Sequence, residues 1–437
     1  MLTPDDQRWL FDVLAADTVS PLEGGDGRGY VAATNLVEAG AVGRGFRVVD
    51  RVHPRLDELS DPLVPEAVRT LAAADPDLLT ERQPSLVLAV GRTDDPARMI
   101  AIDFHLDTVG PHVPPTLDGY VLRGRGTVDD KGPGIAALVG VARAFAERPQ
   151  LRDEVGVVVL CVPAEEGGAL GTFGTRLVLR RTGLRAALMV FAEPTGGEVL
   201  DAASAVMTPV IAVHGEDSTD DHPYAGTNAT LALSHAALIL TSRLAPVAER
   251  VGAKLCVAGI STGTSHNRVY GRGELRLNIA YYDDEARDQL DRTLAETVAG
   301  LGADFRRSYG DVPPAREIGR RHEELVSLRW LKRGYPALLN RHPALEAVLD
   351  QAGLHRRDGV ADGTACTCDA IWGPGHADYV VVCGPGDLDR NGAHTDGEWV
   401  DVRDLDTYAE RMYDLVQRFA AHVRASSTTL HYQKETR

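Results

Sequence analysis

The sequence predicts an α/β fold that is interrupted by a smaller, inserted α+β domain. Apolar, strand-like runs alternate with amphipathic helical segments in the first half of the chain, as expected of an α/β layer fold. After residue 205 the pattern changes to half-exposed strands and two long helices, and the first pattern resumes after residue 314. The chain of 437 residues is also too long for one ordinary core, so two domains are expected.

The first segment, residues 1–205, carries most of the predicted α/β layers. The Thr-Pro sequence before residue 5 is a favourable helix start, and apolar residues then recur at helical spacing. Runs that are apolar throughout are typical of strands covered on both faces. Helices are predicted at 4–16, 29–40, 64–74, 133–147 and 175–182, and strands at 85–90, 99–104, 154–163 and 186–191.

The inserted domain is predicted at 206–314, and the α/β domain continues at 315–425. Alternating apolar and polar residues in the insertion favour an antiparallel sheet with one exposed face. Its predicted strands are 206–214, 254–260 and 273–282, and its predicted helices are 228–244 and 284–301. The second segment has a predicted helix at 343–352, a strand at 379–383 and a closing helix at 403–424. Residues 426–437 are polar and are predicted to be a flexible tail.

Composition excludes several classes of function. The formal net charge of −17 argues against nucleic acid as a partner. The sequence shows no apolar run near the roughly 20 residues of a membrane span, so no membrane association is predicted. The acidic N-terminal residues do not resemble a signal peptide. Five cysteines, an odd and sparse number, are typical of reduced thiols, and a cytoplasmic location is expected.

His105 and Asp107 form the first candidate functional motif. They follow an apolar run, and a spacing of two residues places both side chains on the same face of a strand. A histidine that binds a metal usually donates a hydrogen bond from its other ring nitrogen to a carboxylate, which fixes its tautomer. Alone, this pair is compatible with an ordinary hydrogen-bonded histidine beside a surface carboxylate.

Four further acidic or imidazole motifs follow at predicted strand ends or glycine-rich turns. In an α/β sheet the carboxyl ends of the strands line the ligand crevice, so these side chains are expected to converge. Imidazole and carboxylate donors suit zinc, and a bridging carboxylate could hold two ions. Each motif alone could be a solvated turn, but together they favour a metal site. They are Asp129, the pair Glu165–Glu166, Glu193 and His394.

The motif set resembles the co-catalytic dinuclear zinc amidohydrolase family. That family includes acetylornithine deacetylase, succinyl-diaminopimelate desuccinylase, aminoacylase-1, carnosinases and glutamate carboxypeptidases. The similarity runs from about residue 5 to about residue 424 in the family's motif order, and residues 124–133 are especially close to the dipeptidase and carnosinase branch. The resemblance implies a mixed-sheet zinc-peptidase catalytic domain with an inserted lid, or dimerisation, domain.

The resemblance also assigns roles to the motif residues. It implies two Zn²⁺ ions, with Co²⁺ or Mn²⁺ as alternatives, both bound by Asp129. His105 and Glu193 would complete one site, and Glu166 and His394 the other. A hydroxide held by the ions would attack an amide carbonyl.

The remaining implied roles concern proton transfer and orientation. Glu165 would be the general base, since a carboxylate that stays off the metals can accept the proton of water and deliver it to the leaving nitrogen. Asp107 would orient His105. The resemblance further implies a cis peptide between Asp129 and Asp130.

The sequence departs from the family at two substrate-recognition positions. Thr219 stands where the family has a lid histidine, and His222, three residues later, is a candidate replacement. Asn267 matches the family's lid asparagine, but Ala280 stands where an arginine normally binds the substrate carboxylate. A slipped alignment at this strand is the alternative explanation. Otherwise, we expect that the natural substrate is not a simple acetylated amino acid.

The leading functional hypothesis is a metal-dependent hydrolase of amide bonds. Its expected substrate is a small N-acyl amino acid or a dipeptide-like molecule, and the resemblance implies a homodimer. The alternative is a non-catalytic, metal-binding or scaffolding homologue of the same fold. A retained Glu165 argues against that alternative, because a site without turnover needs no unbound second glutamate.

Overall fold

A six-stranded mixed sheet forms the centre of the first of two compact units. The computed structural model describes residues 2–435, of which 2–203 and 338–435 belong to this first unit. Four neighbouring strands are parallel, and Ser85–Gly91 runs antiparallel to its neighbours, which confirms the predicted α/β class. The strand order is Arg47–Val52, Ser85–Gly91, Gly156–Val162, Met99–His105, Ala186–Phe191 and Ala377–Val382.

Helices cover this sheet, and the helix Lys131–Glu147 is buried along almost its whole length. Its glycines allow close contact: a Cβ on Gly134 would lie 2.1 Å from the ring of Phe104, and one on Gly140 would lie 2.1 Å from the carbonyl oxygen of Ala409. The helices of the unit are Pro4–Ala15, Arg28–Gly43, Leu56–Leu59, Glu66–Ala74, Pro76–Thr80, Lys131–Glu147, Leu151–Glu154, Thr175–Thr182, Pro343–Gln351 and Val402–Glu435. Two small sheets, Trp399–Asp401/Val121–Arg123/Thr116–Asp118 and Leu338–Leu339/Ala202–Ala203, complete it.

The first helix begins where the sequence predicts. Thr3 is its N-cap, and the Asp6 backbone N–H donates to Thr3 Oγ1 at 3.2 Å. In return, the Thr3 backbone N–H donates to the Asp6 carboxylate at 2.8 Å, which completes a capping box. Pro4 occupies the first turn, where a missing N–H costs nothing.

The inserted unit, Ser204–Ala337, contains a four-stranded antiparallel sheet and two long helices. The strand order is Lys254–Ser261, Arg272–Tyr281, Ala205–His214 and Val326–Lys332. The helices are Ala229–Arg250 and Asp284–Tyr309, with short helices at Arg316–Arg320 and His322–Leu325. Ser218–Thr219 and Arg268–Val269 form a separate two-stranded ladder.

The helix Ala229–Arg250 is the one described helix long and apolar enough to cross a membrane. The sequence predicts no apolar run long enough to span a membrane, so this helix is an exception to that prediction by its length and composition. Core helices of soluble proteins meet the same criterion. This helix packs against the sheet and the helix Asp284–Tyr309. Its buried residues, including Leu233, Leu240 and Leu244, recur along one face.

The predicted end of the inserted domain at residue 314 is wrong. Val326–Lys332 pairs antiparallel with Ala205–His214, so the compact unit extends to Ala337. Tyr281 Oη also donates a hydrogen bond to the backbone carbonyl of Tyr335 at 2.7 Å. Alternation of Val326, Leu328 and Trp330 with polar residues was the available signal for this strand.

The end of the chain also differs from the prediction. The last helix, Val402–Glu435, continues through most of the segment predicted to be a flexible tail. The final two residues of that segment, 436–437, lie outside the described residues.

Candidate metal centre

The ends of three adjacent parallel strands bring the candidate ligands together. His105 is the last residue of Met99–His105, the strand between Gly156–Val162 and Ala186–Phe191. Glu165 and Glu166 follow the first of these neighbours, and Glu193 follows the second. Parallel strands end at the same edge of a sheet, so the predicted convergence has a topological cause. His394 lies in the loop after Ala377–Val382, and Asp129 lies just before the helix Lys131–Glu147.

Asp129 lies between two imidazole rings. Its Oδ1 is 2.9 Å from Nε2 of His105, and its Oδ2 is 3.0 Å from Nε2 of His394. Glu193 Oε1 lies 3.7 Å from the same nitrogen of His105, and Glu166 Oε1 lies 3.1 Å from that of His394. Ligand atoms around a tetrahedral zinc ion, at bond lengths of about 2.1 Å, are separated by roughly 3.4 Å. The five side chains therefore fit two ions that share Asp129.

The orientation of the His105 ring suits metal binding. Its Nδ1 lies 2.8 Å from the backbone carbonyl oxygen of Asp107. A carbonyl oxygen only accepts hydrogen bonds, so Nδ1 carries a hydrogen, and Nε2 is the nitrogen that faces the carboxylates. The carboxylate of Asp107, predicted to orient His105, lies 3.7 Å from Nδ1. The orienting contact is thus made by the backbone of Asp107, while its side chain accepts from the backbone N–H of Glu165 and of Glu166 at 3.3 and 3.1 Å.

The electrostatic field of the site favours positive charge. Hydrogen bonds to Asp129 and Glu166 raise the pKa of His394 to about 10. Burial disfavours the ionised form of Asp129, but hydrogen bonds from His105 and His394 outweigh burial and lower its pKa. Buried, ionised acceptors of this kind suit a divalent cation in the same way that they suit a proton.

Glu165 lies beside the ligand cluster and is half-buried. Burial, and then the negative charge of Glu166, raise the pKa of the Glu165 carboxyl well above its ordinary value. One of its oxygens lies within 4.8 Å of the ligand atoms of both His105 and Glu166. The backbone is strained on either side of the cluster, because Ala164 and His394 have φ angles of 72° and 64°, which non-glycine residues rarely adopt.

The cis peptide implied by the family resemblance is present between Asp129 and Asp130. A second cis peptide bond, between Gly110 and Pro111, was not predicted from the sequence.

The two predicted substrate residues belong to the inserted unit. His222 is exposed, and its backbone N–H donates to the carbonyl of Thr219 at 3.2 Å. Asn267 is also exposed and accepts a hydrogen bond from Ser265 Oγ at 2.5 Å. Thr219 pairs with Arg268 in the short ladder, so the segments that carry His222 and Asn267 are neighbours.

Two buried features near the ligands had no assigned role in the sequence interpretation. Glu398 accepts a hydrogen bond from the backbone N–H of Asp129 at 3.3 Å. In the sequence, the only indication of this contact is that Glu398 lies four residues after His394. Asp103 and Asp369 both lie within hydrogen-bond distance of Thr175 Oγ1, at 3.2 and 2.5 Å. Their separation by more than 250 residues along the chain hides this pairing from sequence patterns.

The chain matches a known protein family over most of its length. The family described as Peptidase family M20/M25/M40 matches residues 101–418. A protein of Aeropyrum pernix named LysW-lysine/LysW-ornithine hydrolase is 31% identical over 196 residues, which cover 45% of this chain and 50% of that protein. Succinyl-diaminopimelate desuccinylase of Halorhodospira halophila is 26% identical over 331 residues, covering 71% of this chain and 78% of that protein.

Solved structures share the fold. A metallo-carboxypeptidase of Sulfolobus solfataricus superposes with a TM-score of 0.66 at 11% identity, covering 96% of this chain and 100% of that one. At such low identity the likeness extends to the fold alone. The chain spans about half the length of the first curated relatives that it matches, 50%, 41% and 46% of the first three.

Proposed function

Because the chain belongs to peptidase family M20/M25/M40, we propose that it is a metal-dependent hydrolase of amide bonds. One observation carries this proposal: the two oxygens of the Asp129 carboxylate face the Nε2 atoms of two different histidines, His105 and His394. A carboxylate in that position suits a pair of ions, and each histidine has a further carboxylate beside it. The desuccinylase relative supports the deacylase type, and the resemblance of residues 124–133 to the dipeptidase and carnosinase branch supports the dipeptidase type.

The proposed cofactor is a pair of Zn²⁺ ions, with Co²⁺ or Mn²⁺ as alternatives. His105 and Glu193 would hold one ion, Glu166 and His394 the other, and Asp129 both. Bound at these positions, the ions would polarise the substrate carbonyl and make a nucleophile of water available at neutral pH.

Glu165 would serve as the general base. It accepts the proton of the attacking water and delivers it to the leaving nitrogen, which then departs as an amine. The backbone N–H groups of Glu165 and Glu166 are both held by Asp107, so the two glutamates keep a fixed relation to each other. That relation lets one of the pair bind metal while the other transfers the proton.

The proposed substrate is an N-acyl amino acid or a dipeptide-like molecule, but not a simple acetyl amino acid. Ala280 itself carries no charge, and Lys254, which pairs with it across the sheet, lies 5.8 Å from the centre of the Tyr282 ring. The arginine on the same strand and the one next to Asn267 already have carboxylate partners: Arg276 lies 2.8 Å from Glu274, and Arg268 contacts Asp217. The substrate's acidic group would therefore be displaced, modified or carried by a larger scaffold, and the LysW-lysine hydrolase relative is compatible with this idea.

We further propose a homodimer formed through the inserted unit, and a cytoplasmic location. Lys254–Ser261 is an edge strand whose side chains are mostly exposed, with Val257 41% and Ile260 42% accessible. Unpaired strand edges of this kind are ready to pair with another chain. All five cysteines lie outside disulfides, as expected in a reducing compartment. Sedimentation velocity of wild-type protein and of Val257→Lys tests the dimer, and a monomeric, fully active wild type would contradict it.

The test of the proposed function is the matched pair Glu165→Gln and Glu166→Gln. We expect Glu165→Gln to keep its bound metal and to lose turnover by roughly 10²–10⁴-fold, the usual contribution of a general acid–base group. Glu166→Gln should instead lose metal. Bound metal is measured by elemental analysis, and turnover is measured on a panel of N-acyl amino acids and dipeptides. Full activity of Glu165→Gln, or absence of hydrolysis by the metal-loaded wild type on any amide, would contradict the proposal.

A further inference from the structure

Glu398 has no part in the roles described so far, yet it is bound directly to the backbone of the bridging residue. Its side chain is 1% exposed. Oε1 of Glu398 accepts hydrogen bonds from the backbone N–H of Val128 at 3.1 Å and of Asp129 at 3.3 Å. Oε2 accepts from Arg125 Nη1 at 2.7 Å, and the Arg125 side chain is also 1% exposed. One buried carboxylate therefore holds three donors of the segment that leads to Asp129.

Glu398 is also attached firmly to the loop of His394. Its backbone N–H donates to the Thr395 carbonyl at 3.3 Å, and its own carbonyl accepts from the Gly124 N–H at 3.0 Å. At the base of the loop, the Trp399 N–H donates to the Asn391 carbonyl at 3.1 Å, and Asn391 Nδ2 donates to the Trp399 carbonyl at 2.9 Å. The loop 391–399 is thus closed on itself and joined to residues 124–129 through Glu398.

These contacts connect two candidate ligands that are 265 residues apart. The hydrogen bond to the Asp129 N–H holds the peptide from which that residue's carboxylate projects, and the closed loop holds the backbone from which the His394 ring projects. Groups that orient metal ligands commonly alter metal affinity by about 10–100-fold when they are removed.

We propose that Glu398 is a positioning residue, whose carboxylate fixes the Asp129 peptide relative to the His394 loop and thereby sets the geometry of the shared metal site. This inference rests on the proposed function only in taking Asp129 and His394 as ligands. It assigns to Glu398 no contact with substrate or metal. The part of Glu398 that matters for positioning is the oxygen that accepts from the two backbone N–H groups.

Two double variants isolate that oxygen from the buried ion pair. Arg125→Met/Glu398→Met removes both charges and the acceptor, and replacing a buried ion pair by apolar residues of similar size is usually compatible with folding. Arg125→Met/Glu398→Gln also lacks the ion pair but restores an amide oxygen for the N–H groups of Val128 and Asp129. The two proteins differ at one side chain of nearly equal size.

The probe is Co²⁺ added to metal-free protein, followed by its visible absorption spectrum and by titration. We expect the methionine double variant to bind Co²⁺ at least tenfold more weakly than wild type, with an altered spectrum. The glutamine double variant should remain close to wild type in both. Asp201→Asn, which disrupts another buried carboxylate–arginine pair with Arg356, is the stability control and should leave the spectrum unchanged.

Equal Co²⁺ affinities and spectra of the two double variants would overturn the inference. If the methionine variant does not fold, Glu398→Asp carries the comparison, since its shorter carboxylate keeps the charge but withdraws from the two N–H groups. A wild-type spectrum of Glu398→Asp would then overturn the inference equally. Co²⁺ affinity and absorption are measured without hydrolysis. A result that contradicts the role of Glu398 can therefore be distinguished from one that contradicts the proposed function.

Discussion

The carboxylate of Asp107 accepts a hydrogen bond from the backbone N–H of Glu166 at 3.1 Å. A second hydrogen bond, from the N–H of Glu165 at 3.3 Å, reaches its other oxygen. The Asp107 side chain is fully buried, and its backbone carbonyl at the same time accepts from His105. One residue therefore holds a candidate ligand through its main chain and the adjacent glutamate pair through its side chain.

Asp107→Asn should destabilise the protein. The amide has one acceptor oxygen, so its NH₂ group would face a backbone N–H, and a buried donor would lose its partner. We expect the free energy of unfolding of the metal-free protein to fall by about 1–3 kcal/mol, measured by urea denaturation. Asp94→Asn, at an exposed ion pair with Arg92, is the control and should leave it unchanged. Indistinguishable denaturation curves of the two variants would contradict the prediction.

Metal content should approach two divalent ions per chain in protein purified without a chelator. His394→Ala removes a ligand of one proposed site only, so we expect about one ion to remain after reconstitution with Zn²⁺ and desalting. The control is His355→Ala, which removes an exposed histidine that contacts Asp350 instead. Elemental analysis measures both. A reconstituted wild type that reproducibly binds no metal would refute the ligand assignment.

Asp369→Asn should stabilise the protein more at alkaline than at acidic pH. Asp369 is 2% exposed, and burial raises its pKa from 3.8 to about 6. A pKa raised by folding means that the folded state binds the proton more tightly. The stability contributed by this proton is present below pH 4 and is lost as the pH rises through 6. Asparagine does not titrate, so its advantage over aspartate should grow by roughly 1–2 kcal/mol between pH 5 and pH 8.

The measurement compares the free energies of unfolding of Asp369→Asn and wild type at pH 5 and pH 8, both metal-free. Asp350→Asn, which changes an exposed carboxylate, controls for the change in net charge. An advantage of Asp369→Asn that is the same at both pH values would show that the carboxylate pair beside Thr175 does not hold the proton.

Ala280→Arg should improve hydrolysis of substrates with a free α-carboxylate. Charge-assisted hydrogen bonds to a carboxylate contribute roughly 1.5–3 kcal/mol, so we expect kcat/KM on N-acetylornithine, N-acetylglutamate, N-succinyl-diaminopimelate or carnosine to rise by about 10–150-fold. Ala280→Gln, which adds a shorter and neutral hydrogen-bonding side chain, is the control. The wild type should stay below about 10⁴ M⁻¹s⁻¹ on these substrates. A faster wild type, or equal effects of arginine and glutamine, would count against the proposed specificity.

The layers of the fold and the candidate ligands could be predicted from the sequence. Apolar runs such as 99–104 and 186–191 predict buried strands, because a strand that is covered on both faces has no face exposed to water and needs no alternating polar residues. The polar motifs that follow those strands were predicted to converge because parallel strands end at one edge, and the structure brings His105, Asp129 and His394 within hydrogen-bond distance.

How the candidate ligands are held could not be predicted from the sequence, because it depends on contacts between distant segments. Contacts such as Glu398 with the Asp129 N–H, or Asp369 with Thr175, join residues about 200 or more positions apart, and no local pattern encodes such a distance. The same holds for the end of the inserted unit, which depends on Val326–Lys332 pairing with Ala205–His214. Local propensity and periodicity depend on residues that are close together in the sequence. Buried polar groups form hydrogen bonds with partners that packing brings close in space, and these partners can be far apart in the sequence.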